Sequence, residues 1–481
     1  MLPTVGQAVP SDRTKRHHLS ASQRLMLMVQ DAELFAHQGF VIPALHRVTG
    51  PLSVPALQAA IRLTAKRHGS LRSRLLRRSS GAARLVVDSE LQENAIRYLD
   101  VSNSNSPRAE GASAVQTVYD EPLDLAQQHP LRVLVVRISE QEHLVAICVH
   151  HLVADGWSID ILLKDVSRAY EGFLGGDAQL PRARQHSDFQ LWEAVAEKQG
   201  DFDAGLKFWA ERLTGIRPLP LLPTRQKGEG CGANLRRSLS STASDRLKEF
   251  CRAHRATPFM VTLAALKFLL ATKHDQEDVT IATQMSNRLH SEADEILGYL
   301  ANTVLLRTAL PRSASFGDAV LAVRSTCLQA ARHQAVPFLL LVENLGLSLL
   351  GFSGSDIAGA DVLNLSDGST SFPRLLKDMK RDPMLVFQYS EPAVLELAGC
   401  DARPEAAEQD LQTTLDATPL DIHVAVVKQT THFNVYFGFQ RGLPAATLAH
   451  EFANQYMTTL ELTLARPAMA QQELWRALAL G

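Results

Sequence analysis

The stretch "VHHLVADGWS", residues 149–158, ends one periodicity and starts another. Upstream, "LRVLVVRI" and "LVAICVHH" are apolar, β-branched runs joined by the polar "SEQEH", a pattern that predicts a buried hairpin. Downstream of Gly156, the residues Ile159, Leu162, Leu163, Val166, Ala169 and Tyr170 recur at helical spacing, and Gly175-Gly176 supplies the stop. The junction therefore carries two adjacent histidines, an aspartate and a glycine. Neighbouring strand side chains point to opposite faces, so His150 and His151 cannot both reach one ion. With no H-E-x-x-H and no cysteine cluster to complete a set, no metal site is expected. One histidine faces the packing side; the other faces outward, where an imidazole with a pKa of about 6.5 accepts a proton at neutral pH. Asp155 can orient that ring or brace the turn. Gly156 allows close backbone approach and offers an unhindered N–H at a helix start, which suits a developing oxyanion. On the residues alone, a general base and a structural strand-end pair stand level.

The 481 residues are long for one hydrophobic core, so two subdomains are expected. The turn-rich, polar stretch 175–187 is the natural linker, dividing the chain into 1–180 and 181–481. In the first part, "LSASQRLMLMVQDAELF" reads as a helix capped by Ser20 or Ser22. "VPALQAAIRLTAKRHGSL" is a second helix with Leu57, Ala60, Ile61, Thr64 and Ala65 on one face, and "ARLVVDS" is a strand. The second part opens with helices ("FDAGLKFWAERL", "SDRLKEFCRAH", "PFMVTLAALKFLLATK"). It continues through the apolar runs "VTIATQ" and "YLANTVLLRTAL", an amphipathic helix from "FGDAV", a late hairpin and a closing helix. Residues 346–375 are Gly- and Ser-rich and long for a connection. No internal repeat is present. The class is α/β (α+β).

Composition excludes several functions. A net charge of −2 with interspersed signs gives no nucleic-acid groove and no membrane surface. The polar N-terminus has no apolar stretch of a signal peptide, and the five cysteines are scattered without any C-x-x-C. A reduced, cytoplasmic protein is expected, with Cys148 as a small core residue. "GFSGSD" (351–356) carries Ser where a nucleophile elbow needs its final Gly, and "NLGLSLL" (344–350) is one residue short of a carrier's Leu-Gly-x-x-Ser site. Both read as loop.

The opening stretch resembles the H-H-x-x-x-D-G signature of the condensation domains of nonribosomal peptide synthetases, relatives of chloramphenicol acetyltransferase. Further strings match in order. "LSASQRLML" (19–27) resembles the first motif, with Leu27 where Trp or Tyr is usual, and "RHGSLRS" (67–73) resembles Arg-His-x-x-Leu-Arg. "SDFQLW" (187–192) resembles Asp-aromatic-x-x-Trp, with His186 where Tyr is common. "LGYLANTVLLR" (297–307) matches Gly-aromatic-x-x-Asn-Thr, "RHQAVPF" (332–338) matches His-Gln-x-x-Pro-Phe, and "RDPMLVFQY" (381–389) is a degraded Arg-Asp motif.

The resemblance implies two chloramphenicol-acetyltransferase-like subdomains in a V-shaped pseudo-dimer with a central tunnel, the second subdomain carrying latch and floor elements. It implies His151 as the active residue, Gly156 N–H as an oxyanion donor, and His150 as packing. Asp155 is implied to be structural, paired with Arg288, while Ser22, Trp157, Asn302 and Gln388 are implied to line the tunnel. No cofactor is implied. The substrates would be phosphopantetheine thioesters on an acyl or peptidyl carrier protein, transferred to an amine or alcohol acceptor by a monomer. About 30 extra residues separate "HQAVPF" from "RDPML", read as a surface insertion or a lid. With no flanking adenylation, carrier or thioesterase signature, a free-standing enzyme is expected, suited to chain release. Two alternatives remain: an acyl-CoA-dependent O-acyltransferase of the wax-ester or diacylglycerol type, and a catalytically silent carrier-binding module.

Overall fold

The computed structural model describes residues 16–31, 40–77, 83–216, 233–345, 385–391, 394–405, 422–439 and 446–479. The segment 346–375 with its "GFSGSD", the end of "NLGLSLL", and residues 381–384 lie outside the described residues.

The hairpin upstream of the histidines forms as expected, by β6 (Leu131–Ser139) and β7 (Glu142–His150). It is the centre of a five-stranded sheet in the order β12 (Asp401–Pro404), β2 (Val41–Thr49), β7, β6, β5 (Ile96–Asp100). Nearly every residue of β6 and β7 is buried because both faces are covered. Val133, Val135, Val145, Ile147 and Val149 pack toward α2 (Val54–Arg67) and α4 (Gly156–Gly175). The alternate residues Leu134, Val136, Leu144, Ala146 and Cys148 pack against α3 (Pro107–Asp120). Cys148 is thus the core residue expected.

Helix α2 buries Leu57, Ala60, Ile61, Thr64 and Ala65, the face read from its periodicity, and Ser53 caps it. Helix α4 buries its own apolar stripe and stops at Gly176, whose φ of 85° needs the left-handed freedom of glycine. The first helix, α1 (Ala21–Asp31), is capped by Ser20 rather than Ser22: Ser20 Oγ accepts from Gln23 N at 3.2 Å and Gln23 Oε1 accepts from Ser20 N at 3.1 Å. A small sheet of β1 (Arg16–His18), β4 (Ala83–Val87) and β3 (Ser73–Arg77) completes this part.

The second part is built on a six-stranded sheet, β10 (Asn302–Ala309), β9 (Asp278–Met285), β11 (Leu385–Ser390), β13 (Ile422–Lys428), β14 (Phe433–Phe439), β8 (Ala233–Ser238). Helix α8 (Pro258–His274) is buried along its whole middle between this sheet and α7 (Ser241–His254), α9 (Phe316–Arg332) and α11 (Ala446–Ala465). Even Lys267 is enclosed, its Nζ donating to the Val279 and Leu306 carbonyls. No single described helix is long and apolar enough to cross a membrane. Helices α5 (His186–Gln199) and α6 (Asp203–Leu213) lead into this part, and α10 (Phe338–Leu345) and α12 (Gln471–Ala479) complete its shell.

One large apolar core lies mostly before residue 180 and a second lies after it. Residues 394–405 return from the later part of the chain to the first core: Leu395 and Leu397 enter it and β12 pairs antiparallel with β2.

Candidate active site

Strand β7 ends at His150, one residue earlier than a strand running through both histidines would. His151 instead opens a single 3-10 turn, His151–Val153. His150 is 2% exposed and stacks on Phe40 with centroids 6.2 Å apart, and its Nδ1 accepts from Leu152 N at 3.0 Å. Burial pushes it down to about 3, so it is a neutral packing and capping group. His151 is half-buried. Its ring lies edge-on to Tyr299, centroids 6.2 Å apart at 71°. Burial pushes His151 down to about 4 against the opposing pull of the Asp155 charge and the Ala154 backbone, so the ring is neutral at pH 7. Its buried Nδ1 makes no hydrogen bond of ordinary geometry with a described residue.

Asp155 faces away from this chemistry. As the N-cap of α4 its Oδ1 accepts from Ser158 N (2.9 Å) and Ser158 Oγ (2.7 Å). Its Oδ2 accepts from Leu300 N (3.2 Å) and Ala301 N (3.1 Å). Arg288 closes the set as a fork, Nη1 to Oδ2 at 2.8 Å and Nη2 to Oδ1 at 3.0 Å. Burial alone would raise the Asp155 carboxyl; the Arg288 charge and these donors hold it below the usual range. The side chains are 5% and 1% exposed, so the expected pair is a buried clamp joining α4 to the loop between β9 and β10.

That loop approaches very closely. A Cβ on Gly298 would lie 2.3 Å from His186 Cδ2, closer than any real contact, and Ser158 Oγ accepts from Gly298 N at 3.1 Å. At Gly156 the situation is opposite: a Cβ there meets nothing within 4 Å. As the first helical residue, its N–H has no intrahelical partner. A helix-start N–H on a residue with no side chain in the way is a donor that an oxyanion can use.

The residues expected to line a tunnel divide. Ser22 is half-buried and donates to Ala301 O at 3.2 Å, joining α1 to the same loop. Trp157 is 45% exposed; its Nε1 donates to Asp294 O at 3.1 Å and its ring covers Arg288. Asn302 does not line open space. It is 2% exposed and its amide is consumed by the loop before α10, donating to Gln334 O and Val336 O and accepting from Phe338 N. A short polar side chain at a strand start is most economically used against neighbouring backbone, so Asn302 is a brace. Gln388 lies on β11 opposite Ala425 of β13.

Gln23 belongs to the first motif string, which assigns it no role. Fully buried, it donates to Leu152 O at 2.6 Å, directly behind His151, and accepts from Gln190 at 2.7 Å. Glu193 accepts from Ala21 N at 2.7 Å, and burial raises it to about 7. Ser158 is legible in principle, since Asp-x-x-Ser is an N-cap spacing. Among the described residues no three His, Cys, Asp or Glu gather as a metal set. A cavity of about 1420 Å³ lies away from His151. It lies between β3, β4, the end of α2 and residues 180–190, and one of its lining residues, Gln190, donates to Gln23, which in turn donates to Leu152 O of the His151 turn.

A sequence profile of the condensation domain matches residues 14–349, which spans both the His151 turn and its Arg288 clamp. This chain belongs to the condensation-domain family. It is 31% identical over 356 residues to a linear gramicidin synthase polypeptide of Brevibacillus parabrevis, covering 72% of this chain and 7% of that protein. It is 30% identical over 313 residues to the cyclosporin synthetase of Tolypocladium inflatum, covering 64% of this chain and 2% of the synthetase. The chain thus spans a small fraction of the curated relatives it matches. Among solved structures, the first condensation domain of the calcium-dependent antibiotic synthetase with a substrate analogue aligns at TM-score 0.75, 17% identity and 96% and 99% coverage. The teicoplanin-biosynthesis X-domain in complex with OxyB aligns at 0.73, 21% and 97% of each chain. These likenesses establish the chloramphenicol-acetyltransferase-like fold of two subdomains.

Proposed function

We propose that this condensation domain joins an acyl or peptidyl group, delivered as a carrier-protein phosphopantetheine thioester, to the amine or hydroxyl of an acceptor, with chain release as the suited role. It acts as a cytoplasmic monomer. The observation that carries this reading is a neutral His151 in the turn after β7, followed by a helix whose first residue, Gly156, has open space at its Cβ position. With Nδ1 buried, Nε2 is the nitrogen that serves as base. The acceptor's lone pair adds to the thioester carbonyl carbon as its proton passes to His151, and the carbonyl electrons move onto oxygen, held by Gly156 N–H. Collapse restores the carbonyl, breaks the C–S bond and expels the thiolate, which takes the proton from His151. The thioester is already activated, so holding two reactants in register supplies much of the barrier reduction and the base adds about 10²–10⁴-fold.

A silent recruitment module is the second reading, favoured by one fold relative being solved as a complex with another protein. The deciding experiment offers one acyl group as a carrier thioester and as a CoA thioester, with pooled amines and alcohols, and reads intact masses. Unloading from the carrier supports the proposal and the product mass separates ester from amide. Equal use of CoA favours the lipid-type O-acyltransferase, and carrier binding without transfer favours the silent module.

A further inference from the structure

Tyr299 is the residue whose side chain lies edge-on to His151, and its placement is over-determined by the backbone around it. On one side Gly298 N donates to Ser158 Oγ; on the other, Leu300 N and Ala301 N donate to the Asp155 carboxylate. Leu297 O accepts from Ser70 Oγ at 2.8 Å. Every neighbour of Tyr299 in the loop is therefore tied down. The residue is 8% exposed, and its hydroxyl, which is not fully enclosed, hydrogen-bonds no described residue. A rigid loop that presents an unpartnered donor beside the base is arranged for a group that arrives with the substrate.

We propose that Tyr299 is a catalytic residue of this site, its O–H donating to the substrate's carbonyl oxygen as that oxygen becomes an oxyanion. The inference rests on the acyl-transfer reading above and deepens it by giving the site a second oxyanion donor from the other half of the chain. Gly156 N–H comes from the helix that follows the histidine turn; Tyr299 O–H comes from the loop clamped onto that helix by Asp155 and Arg288. The clamp then has a catalytic purpose: it sets the distance between the two donors. Burial and the neighbouring Asp155 charge raise the phenol above its ordinary range, so it stays protonated and able to donate throughout the working pH range. Tyrosine is also suited by shape, since its ring lies edge-on to His151 and carries a donor.

The test is Tyr299→Phe, which keeps the ring against His151 and deletes only the donor. In single-turnover transfer from a carrier thioester, kcat should fall by about 100-fold with KM changed less than threefold, the loss typical of one oxyanion donor. The acid limb of the pH profile, set by His151, should not move. An unchanged melting temperature shows that the fold is intact, and Tyr299→Leu, which also removes the ring, should be slower still. Wild-type rates in Tyr299→Phe, with His151→Ala inactive, overturn the proposal while leaving the acyl-transfer reading standing. A displaced acid limb also overturns it, because Tyr299 would then act through His151 rather than on substrate. A wild type that transfers no faster than His151→Ala removes the acyl-transfer reading, and this proposal falls with it.

Discussion

Arg288→Ala removes the fork that holds Asp155 and leaves a carboxylate buried without its countercharge. Breaking one side of a buried ion pair costs about 3–5 kcal/mol. Asp155 would keep four donors, Ser158 N and Oγ, Leu300 N and Ala301 N, which places the loss at the lower end, about 3 kcal/mol. Asp155→Ala is the harsher change. It strands Arg288 in a nearly closed site and orphans the amides of Ser158, Leu300 and Ala301 together, so about 5 kcal/mol is expected. The double variant should lose no more than about 5 kcal/mol rather than the sum, because removing Arg288 as well takes away the buried charge that Asp155→Ala strands. With an unfolding entropy of roughly 2.1 cal/mol/K per residue, 3 kcal/mol in a cooperative unit the size of this 481-residue chain lowers Tm by about 3 °C. Urea denaturation of the four proteins at pH 7 measures the coupling directly. Additivity within about 0.5 kcal/mol, or an Arg288→Ala loss no larger than that, would show that this pair does not clamp the two halves at the site.

Gly298→Ala places a methyl carbon into the His186 ring and should cost about 1–3 kcal/mol, with part of the loss recovered in the Gly298→Ala/His186→Ala double variant by the same denaturation measurement. Acid stability follows the buried histidines. His150 and His423 are held down to about 3 and about 4 by burial, against about 6.5 in the unfolded chain, so the unfolded state binds more protons once pH drops below that value. Stability is fully present above pH ~6.5 and each histidine removes about 1.4 kcal/mol per pH unit below it, levelling only near its folded value, which isothermal urea titrations from pH 7 to 4.5 should show. With His151 likewise held at about 4, the transfer rate should be level from pH 6 to 8, without the inflection that an ordinary histidine base places near 6.5.

The sequence discloses whatever local periodicity and a dense motif can carry. The alternation of β6 and β7, the stripe of α4 and its Gly176 stop are short-range patterns, and the structure holds each of them in place. The Asp155–Arg288 pair is reachable only through family resemblance, since 133 positions separate the two residues. Strand β2 escapes a reading of the sequence because Pro43 argues against a strand inside a sheet. Among the described residues β12 pairs with β2 from His46 to Thr49, so Pro43 lies beyond that pairing. Strand β12 itself is four residues long and mostly exposed, with no apolar pattern to betray it. The motif around Asn302 points to the tunnel, but sequence does not reveal that three backbone groups consume its amide. Gln23 and Tyr299 act through contacts that only the assembled fold creates.

Everything proposed for this site depends on His151 being the base of an acyl transfer. The decisive comparison is single-turnover unloading of a carrier-bound thioester by wild type and by His151→Ala. The rate in the variant should be lower by about 10²–10⁴-fold, with the fold and carrier binding retained. Transfer by His151→Ala at the wild-type rate would instead return the histidine pair to a purely structural role at the end of β7.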